Sequence, residues 1–173
     1  AEKLAQGGRR VALLDRMGRI KPCGGAIPPR LIRDFAIPDD QLVAKIGTAR
    51  MISPTANKVD IAIENGFVGM VDREDFDEFL RVRAEAAGAE RFTGTFTRIE
   101  RNGTNTTVHY RDKQGETHAL QTRLVIGADG ARSNVARAEV DGGDTIPYVI
   151  AYHEIVEAPD DVADYDPHRC DVI

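Results

Sequence analysis

The sequence predicts a mixed α/β fold, because short apolar runs typical of buried parallel strands occur on both sides of an amphipathic helix. The first run, residues 10–15, follows a short helical segment that ends at Gly7 and Gly8. The second run, residues 124–130, leads into a turn and a short helix. Between them lie a longer helix and several short strands. We therefore expect a parallel sheet interrupted by a large insert of antiparallel strands.

The composition is that of an ordinary globular protein and argues against several function classes. The 173 residues are 42% apolar and 29% charged, with a net charge of −5. The absence of a run of about 18 apolar residues argues against a membrane-spanning helix, and the absence of a basic cluster argues against a nucleic-acid partner. Cys23 and Cys170 lack metal-ligand spacing, which disfavours a metal site or a disulfide and favours a reducing, cytoplasmic setting.

The other elements follow from local patterns. Apolar and polar residues alternate on both sides of a Pro-Thr-Ala-Asn segment, which predicts a hairpin. Asp72 is a suitable N-cap for the clearest helix, in which Phe76, Phe79 and Leu80 share one face. In chain order we expect a Gly- and Pro-rich loop over 16–30, a short helix over 30–35, a hairpin of 46–54 and 58–64, a helix from Asp72 to Gly88, a β-meander over 89–120, a short helix over 131–138 and a strand over 148–156.

Asp15 is the first candidate functional residue, because it ends the first apolar run. In dinucleotide-binding folds an acid ends the second strand, about 20 residues after the first glycine of the phosphate loop, and binds a ribose hydroxyl. Counting back from Asp15 places that glycine loop before Ala1, so we expect the chain to be an internal piece of a longer protein. The alternative is an acid in an ordinary surface loop.

The second candidate is the turn that follows the apolar run at residues 124–130. A strand that ends in small residues, an acid and a glycine before a helix brings backbone N–H groups and a carboxylate to the edge of a sheet, where α/β folds bind ligands. The carboxylate is Asp129, and it can accept hydrogen bonds from the hydroxyls of a polyol. Asp129 could instead cap the helix, and the two roles are compatible.

These segments resemble a known flavoprotein group. Gly127-Ala-Asp-Gly-Ala-Arg-Ser133 resembles the Asp-Gly motif of FAD-dependent proteins of the p-hydroxybenzoate hydroxylase type, and residues 71–80 are similar to the helix whose leading arginine lies against the cofactor. The resemblance implies a Rossmann-like FAD-binding domain with a β-meander and part of an antiparallel substrate-domain sheet. It also implies that Arg73 and the Gly127, Asp129 and Gly130 turn contact FAD.

One loop resembles a particular branch of that group. Lys21-Pro-Cys-Gly-Gly-Ala-Ile-Pro28 is similar to the Cys-Gly-Gly segment of geranylgeranyl reductases, and the tail at 165–172 fits the chlorophyll and bacteriochlorophyll branch. This implies reduction of geranylgeranyl C=C bonds by FAD and NADPH, on a diphosphate or on a prenylated pigment. It also implies a protein that is cytoplasmic or peripheral to the photosynthetic membrane.

Cys23 is the candidate catalytic residue of this loop. Flanked by Gly24 and Gly25, its thiol can approach a planar ring closely, and in the family the loop faces the flavin. A small apolar filler is the alternative, since free cysteines are commonly buried and inert.

The resemblance also implies how the chain divides. Residues 1–44 and 71–143 would belong to the FAD-binding domain, and the hairpin at 45–70 and residues 144–173 to the substrate domain. Because the glycine loop and a final flavin-phosphate motif lie outside the printed sequence, we expect residues 1–173 alone to be inactive. Two other functions remain open: aromatic hydroxylation with the same cofactor, and a non-catalytic nucleotide-binding module.

Overall fold

The computed structural model describes residues 1–16, 23–157 and 163–173. The α-helices of this described part are α1 (Glu2–Gln6), α2 (Pro29–Asp34), α3 (Arg73–Ala86) and α4 (Asn134–Glu139), and Asp39–Gln41 form a short 3-10 helix. Its strands are β1 (Ala12–Asp15), β2 (Ala26–Ile27), β3 (Ala44–Ile46), β4 (Thr48–Ile52), β5 (Lys58–Ala62), β6 (Val68–Met70), β7 (Glu90–Thr93), β8 (Thr95–Asn102), β9 (Asn105–Arg111), β10 (Thr117–Thr122) and β11 (Arg169–Val172). The predicted mixed α/β class is confirmed.

The chain forms two compact units. The first consists of Ala1–Arg19 and Arg81–Ala151, and the second of Ile20–Leu80 and Tyr152–Ile173, so the division falls within α3. Within the described residues, no helix has both the length and the apolar character needed to cross a membrane.

The first unit contains the parallel strand pair that the sequence predicted in part. β1 pairs in parallel with β7, and Asp15 lies opposite Thr93. The sequence analysis placed the residues of β7 in the meander, but in the structure β7 is the parallel partner of β1. A small core of Ala5, Ala84 and Ala89 joins α1 to the end of α3.

The meander itself is the antiparallel sheet β8–β9–β10, with turns between Asn102 and Asn105 and between Arg111 and Thr117. Every second residue of β9 is buried: Thr106, Val108 and Tyr110. This period of two places one face of the central strand in the interior, as expected for a sheet with one covered face.

The prediction of a buried strand over 124–130 is wrong. These residues form no strand, and Leu124 and Ile126 are 73% and 64% exposed. A strand needs a partner to satisfy its backbone groups, and no strand of the described residues pairs with this run. The predicted helix follows but begins at Asn134 rather than 131, because Ser133 is its N-cap and accepts a hydrogen bond from Ala136 N at 2.9 Å.

The prediction of a strand over 148–156 is also wrong. Val149 and Ile150 are 91% and 90% exposed, and the segment has no regular structure. The β-branched composition suits a strand, yet no neighbouring strand among the described residues offers it a ladder. Nearer the end of the printed sequence, Arg169–Val172 form the strand β11.

The second unit holds two three-stranded sheets, β2–β6–β3 and β11–β4–β5. The hairpin of β4 and β5 confirms the prediction for 46–54 and 58–64, and β11 lies parallel beside β4. The core consists of Ile27, Ile37, Val71 and Phe76. It is covered by partly buried side chains of α2, α3 and the segment between α2 and β3.

Helix α3 matches its prediction closely. Asp72 acts at its N-terminus, where its carboxylate accepts the backbone N–H of Glu74 at 2.9 Å. Phe76 is only 5% exposed and stacks against Phe79, with ring centroids 6.2 Å apart. Phe76 and Phe79 of the predicted apolar stripe therefore face the core of the second unit, whereas Leu80 is exposed.

Ion pairs join the β4–β5 hairpin to Asp164, which lies five residues before β11 and 3.6 Å from the guanidinium of Arg169 in that strand. The guanidinium of Arg50 binds Asp60 at 2.6 and 2.9 Å and Asp164 at 2.8 Å, and Lys58 binds Asp164 at 2.6 Å. Lys58, and then Arg50, lower the pKa of Asp164 well below its usual range. Because the folded-state pKa is lowered, these pairs stabilise the fold above the ordinary carboxyl pKa and lose that effect as pH falls through the folded value.

We therefore expect Asp164→Asn to speed amide hydrogen exchange in β11 at neutral pH, measured by mass spectrometry. Asp39→Asn is the matched control, because it removes a pair with Lys45 on β3 and leaves β11 unchanged. At strongly acid pH the parent and Asp164→Asn should converge. Equal exchange in β11 at neutral pH would show that the strand ladder alone holds it.

Candidate functional site

The loop from Cys23 to Gly25 is fixed against the end of β6. The backbone N–H of Val71 donates to the carbonyl of Gly25 at 3.0 Å. Gly25 has a φ of +76°, and a Cβ built there would overlap the carbonyl group of Val71. At Gly24, by contrast, a Cβ would meet no atom of the described residues within 4 Å. Backbone packing therefore requires Gly25, whereas no such packing with the described residues requires Gly24.

Cys23 is a partly buried free thiol at the start of this loop. The other cysteine, Cys170, is also free but exposed on β11. Lys21 and Pro22, which complete the predicted Cys-Gly-Gly segment on its N-terminal side, lie outside the described residues.

Arg73 begins α3, two residues after Val71. Its Nη2 donates to Asp77 at 2.5 Å, and both side chains are 19% exposed. Its Nε is buried and has no hydrogen-bond partner among the described residues. A buried donor of a charged group is costly when it lacks an acceptor. The side chain is thus arranged so that an acceptor on a ligand would complete it.

Asp15 is held in the first unit by its backbone and its side chain. Its carbonyl accepts the N–H of Gly94 at 2.9 Å, just beyond the end of β7. Its carboxylate Oδ2 accepts from Nε of Arg81 at 2.8 Å and lies 2.7 Å from Nη2 of the same guanidinium. The acid therefore lies at the carboxyl end of a parallel strand, as predicted, with an arginine partner from α3.

Asp129 fastens its turn to the start of α4. Its carboxylate accepts hydrogen bonds from the Ser133 hydroxyl, from Asn134 N at 2.7 Å and from Val135 N at 3.2 Å. Partial burial opposes ionisation, but the bonds from Ser133, Val135 and Asn134 hold the pKa of Asp129 below its usual value. An ionised carboxylate has about four lone-pair sites, so these three donors leave room for one more.

The two glycines of this turn have structural reasons to be glycine. Gly130 has a φ of +89°, a conformation that other residues rarely adopt. At Gly127, a Cβ would lie 3.0 Å from Cβ and Cγ1 of Val135. Both glycines therefore set the tight path that brings the carboxylate of Asp129 to the exposed end of α4.

The predicted site residues divide between the two units. Asp15 and the Gly127–Gly130 turn belong to the first, and the Cys23–Gly25 loop and Arg73 belong to the second. Sequence reasoning missed two partners. Ser133 could have been found as a helix N-cap ahead of a helical run. Arg81 had no local signal, because its partner Asp15 lies 66 residues earlier in the chain.

These features define a class of protein: an acid at the carboxyl end of a parallel strand is typical of a dinucleotide-binding domain. A family model described as an FAD binding domain matches residues 36–147. The chain therefore belongs to the FAD-binding domain family.

Two curated relatives align with nearly the whole chain. A geranylgeranyl diphosphate reductase of Rhodobacter capsulatus is 68% identical over 170 residues, which cover 98% of this chain and 43% of the relative. A chloroplastic geranylgeranyl diphosphate reductase of Arabidopsis thaliana is 40% identical over 178 residues, covering 95% of this chain and 38% of the relative. The chain thus spans less than half the length of these relatives.

Solved structures share the fold. A geranylgeranyl bacteriochlorophyll reductase-like protein of Thermoplasma acidophilum superposes with a TM-score of 0.77 at 19% identity, covering 98% of this chain and 45% of that one. A flavin-dependent brominase gives a TM-score of 0.66 at 20% identity, covering 79% of this chain and 36% of that one. At these identities the likeness shows a common fold.

Each unit, taken by itself, holds groups that fit a part of FAD. In the second unit Arg73 offers a buried donor without a partner among the described residues, and in the first unit Asp129 has room for one further donor. The phosphates would need a further partner, because the printed sequence contains no Gly-x-Gly-x-x-Gly loop.

Proposed function

We propose that the protein is an FAD-dependent reductase of geranylgeranyl C=C bonds that uses NADPH. The observation that carries this proposal is the 68% identity to a geranylgeranyl diphosphate reductase over 98% of the chain. That extent takes in both the Cys-Gly-Gly loop and the Asp-Gly turn. The proposal concerns the full natural protein, meaning the complete gene product that contains these residues.

Each site residue would bind a different part of the cofactor. We propose that Asp15 binds the adenosine ribose, that Asp129 binds the ribityl chain from its turn with Gly127 and Gly130, and that Arg73 donates from Nε. The Cys23–Gly25 loop would face the flavin ring, with Gly24 allowing close approach. When bound, FAD supplies a hydride that originates from NADPH.

The chemistry of the proposed alkene substrate determines what the protein must provide. An isolated C=C bond is not polarised by a carbonyl group, so the protein must position it, exclude water and provide a proton at the neighbouring carbon. We propose a geranylgeranyl chain carried as the diphosphate or esterified to a chlorophyll-type pigment, reached by a protein that is cytoplasmic or peripheral to the photosynthetic membrane.

The chain division predicted from the sequence stands as part of this proposal. The pairing of β11 with β4 supports one substrate-domain sheet formed by 45–70 and 144–173. For the proposed FAD-binding domain of 1–44 and 71–143, the pairing of β1 with β7 supports a common domain for the parts around those two strands, whereas β2 pairs with β6 in the other compact unit.

The test is an anaerobic assay of the full natural protein with FAD and NADPH. Geranylgeranyl diphosphate and a geranylgeranylated pigment are supplied in separate reactions, and NADH replaces NADPH in a third. A mass gain of two hydrogens per reduced bond is expected. A hydroxylated aromatic product with oxygen uptake would favour a monooxygenase instead, and a protein without a flavin spectrum would favour a non-catalytic nucleotide-binding module.

We expect Cys23→Ser to retain FAD but to slow alkene reduction by at least about tenfold, while reduction of the flavin by NADPH stays unchanged. The reason is that the Cys23 thiol would be the positioned acid that donates the proton. Such an acid contributes roughly 10²- to 10⁴-fold to proton transfer, and a serine hydroxyl is a much weaker acid than a thiol. Stopped-flow flavin absorbance and product mass separate the two half-reactions. Cys170→Ser, an exposed thiol on β11, is the control. Unchanged turnover in Cys23→Ser would make this thiol a packing residue.

A further inference from the structure

We propose that Arg81 is a positioning residue for the adenosine ribose, acting through Asp15. This inference rests on the proposed FAD function and adds to it a residue that the sequence did not single out. Arg81 itself would not contact the ribose. It would hold the carboxylate of Asp15 in the orientation that accepts the ribose hydroxyls.

The geometry of the pair supports this role. Nε of Arg81 donates to Oδ2 of Asp15 at 2.8 Å, and Nη2 lies 2.7 Å from the same oxygen. Two donors of one rigid guanidinium that converge on one oxygen restrict rotation of the carboxylate about its χ2 torsion. The orientation of the acid is therefore set before any ligand arrives.

The backbone around Asp15 is fixed as well. Asp15 is the last residue of β1 and lies opposite Thr93 in β7. Its carbonyl accepts the N–H of Gly94, where a Cβ would lie 2.8 Å from the carbonyl oxygen of Arg111 and would overlap the ring of Tyr110. Main chain and side chain of Asp15 are thus both held, as expected of a group that must meet a ligand within a few tenths of an ångström.

A second ion pair of α3 with similar exposure provides a control for a purely stabilising role. The side chains of Arg81 and Asp15 are 18% and 37% exposed. The same helix offers a close comparison: Arg83 pairs with Glu2 at 2.8 Å, with exposures of 21% and 18%. This second pair joins α3 to α1 rather than to the end of a parallel strand.

The experiment compares Arg81→Met with Arg83→Met in the full natural protein. Apoprotein is reconstituted with FAD and, separately, with an FAD analogue whose adenosine lacks the 2′-hydroxyl, and dissociation constants are measured by flavin fluorescence. Thermal unfolding is followed in parallel. Arg81→Lys is included, since lysine keeps the charge but lacks the two-nitrogen fork.

We expect Arg81→Met to weaken FAD binding by about tenfold or more, the size of one lost charge-assisted hydrogen bond. The analogue should bind the parent more weakly than FAD does, and Arg81→Met should weaken it little further. Arg81→Lys should recover part of the FAD affinity, and Arg83→Met should bind FAD like the parent.

Two results would overturn this inference and leave the proposed function standing. One is FAD affinity in Arg81→Met equal to that of the parent, and the other is an equal loss for FAD and for the analogue, which would indicate a general structural role. If the parent itself binds no FAD, the proposed function fails and the inference fails with it. Comparison with the parent therefore separates these outcomes.

Discussion

Asp129→Ala is expected to lower the affinity of the full natural protein for FAD by about 10- to 150-fold, which corresponds to one charge-assisted hydrogen bond of roughly 1.5–3 kcal/mol. The carboxylate is exposed and already oriented by Ser133, Asn134 and Val135. Three donors leave about one lone-pair site for a ribityl hydroxyl. Removing the side chain would therefore remove the proposed contact with the ribityl chain, which needs no reorganisation of this carboxylate to form.

The same substitution also removes acceptors from the start of α4, so a control must separate the two effects. Ser133→Ala removes the hydroxyl that caps Ala136 N and donates to Asp129, but it leaves the carboxylate in place. We expect both variants to lose roughly 1 kcal/mol of local helix stability, and only Asp129→Ala to lose most of its FAD affinity. Affinities are measured by reconstitution of the apoprotein, with circular dichroism for the fold. Equal losses of affinity would assign the effect to the turn rather than to the carboxylate.

Local signals in the sequence were sufficient for those elements whose causes are local. Helix α3 has an N-cap at Asp72 and an apolar stripe led by Phe76, and both act in the structure as their positions indicate. The hairpin of β4 and β5 likewise follows from alternation around a turn. These interactions join residues close in sequence, so a short window contains the information that specifies them.

Pairing between distant segments could not be read in this way. β7 has the composition of a meander strand, but its partner is β1, which lies more than 70 residues earlier. The run at 124–130 has the composition of a buried strand, yet Leu124 is 73% exposed because no described strand pairs with it. Being a strand is a property of two segments, and composition reports on only one of them.

The candidate site shows the same distinction between features specified by nearby residues and features that depend on distant segments. Asp129 could be singled out from its motif, and its role toward α4 followed from the neighbouring sequence. The partner of Asp15 could not be found, since Arg81 is one of several arginines on α3 and only the fold selects it. Sequence therefore identified the groups that are candidates to touch the cofactor better than it identified the residues that hold them.

The two glycines of the Cys-Gly-Gly segment are expected to respond very differently to substitution by alanine. Gly25→Ala should lower the free energy of unfolding by roughly 2–5 kcal/mol. About 1–2 kcal/mol comes from a left-handed backbone conformation in a residue with a Cβ, and about 1–3 kcal/mol from overpacking against the carbonyl of Val71. Val71 is 5% exposed and belongs to the core with Ile27 and Phe76, so it cannot move aside without disturbing that core.

Gly24→Ala is the matched control, one residue earlier in the same loop. A Cβ at Gly24 meets no atom of residues 1–16, 23–157 or 163–173 within 4 Å, so the free energy of unfolding should change by less than about 0.5 kcal/mol. If the loop faces the flavin as proposed, the added methyl group should instead reduce FAD affinity in the folded protein. Urea unfolding of the apoprotein and FAD titration measure the two effects separately. A Gly25→Ala variant as stable as the parent would mean that the loop can move away from Val71, and a Gly24→Ala variant with full FAD affinity would mean that the cofactor does not lie beside Gly24.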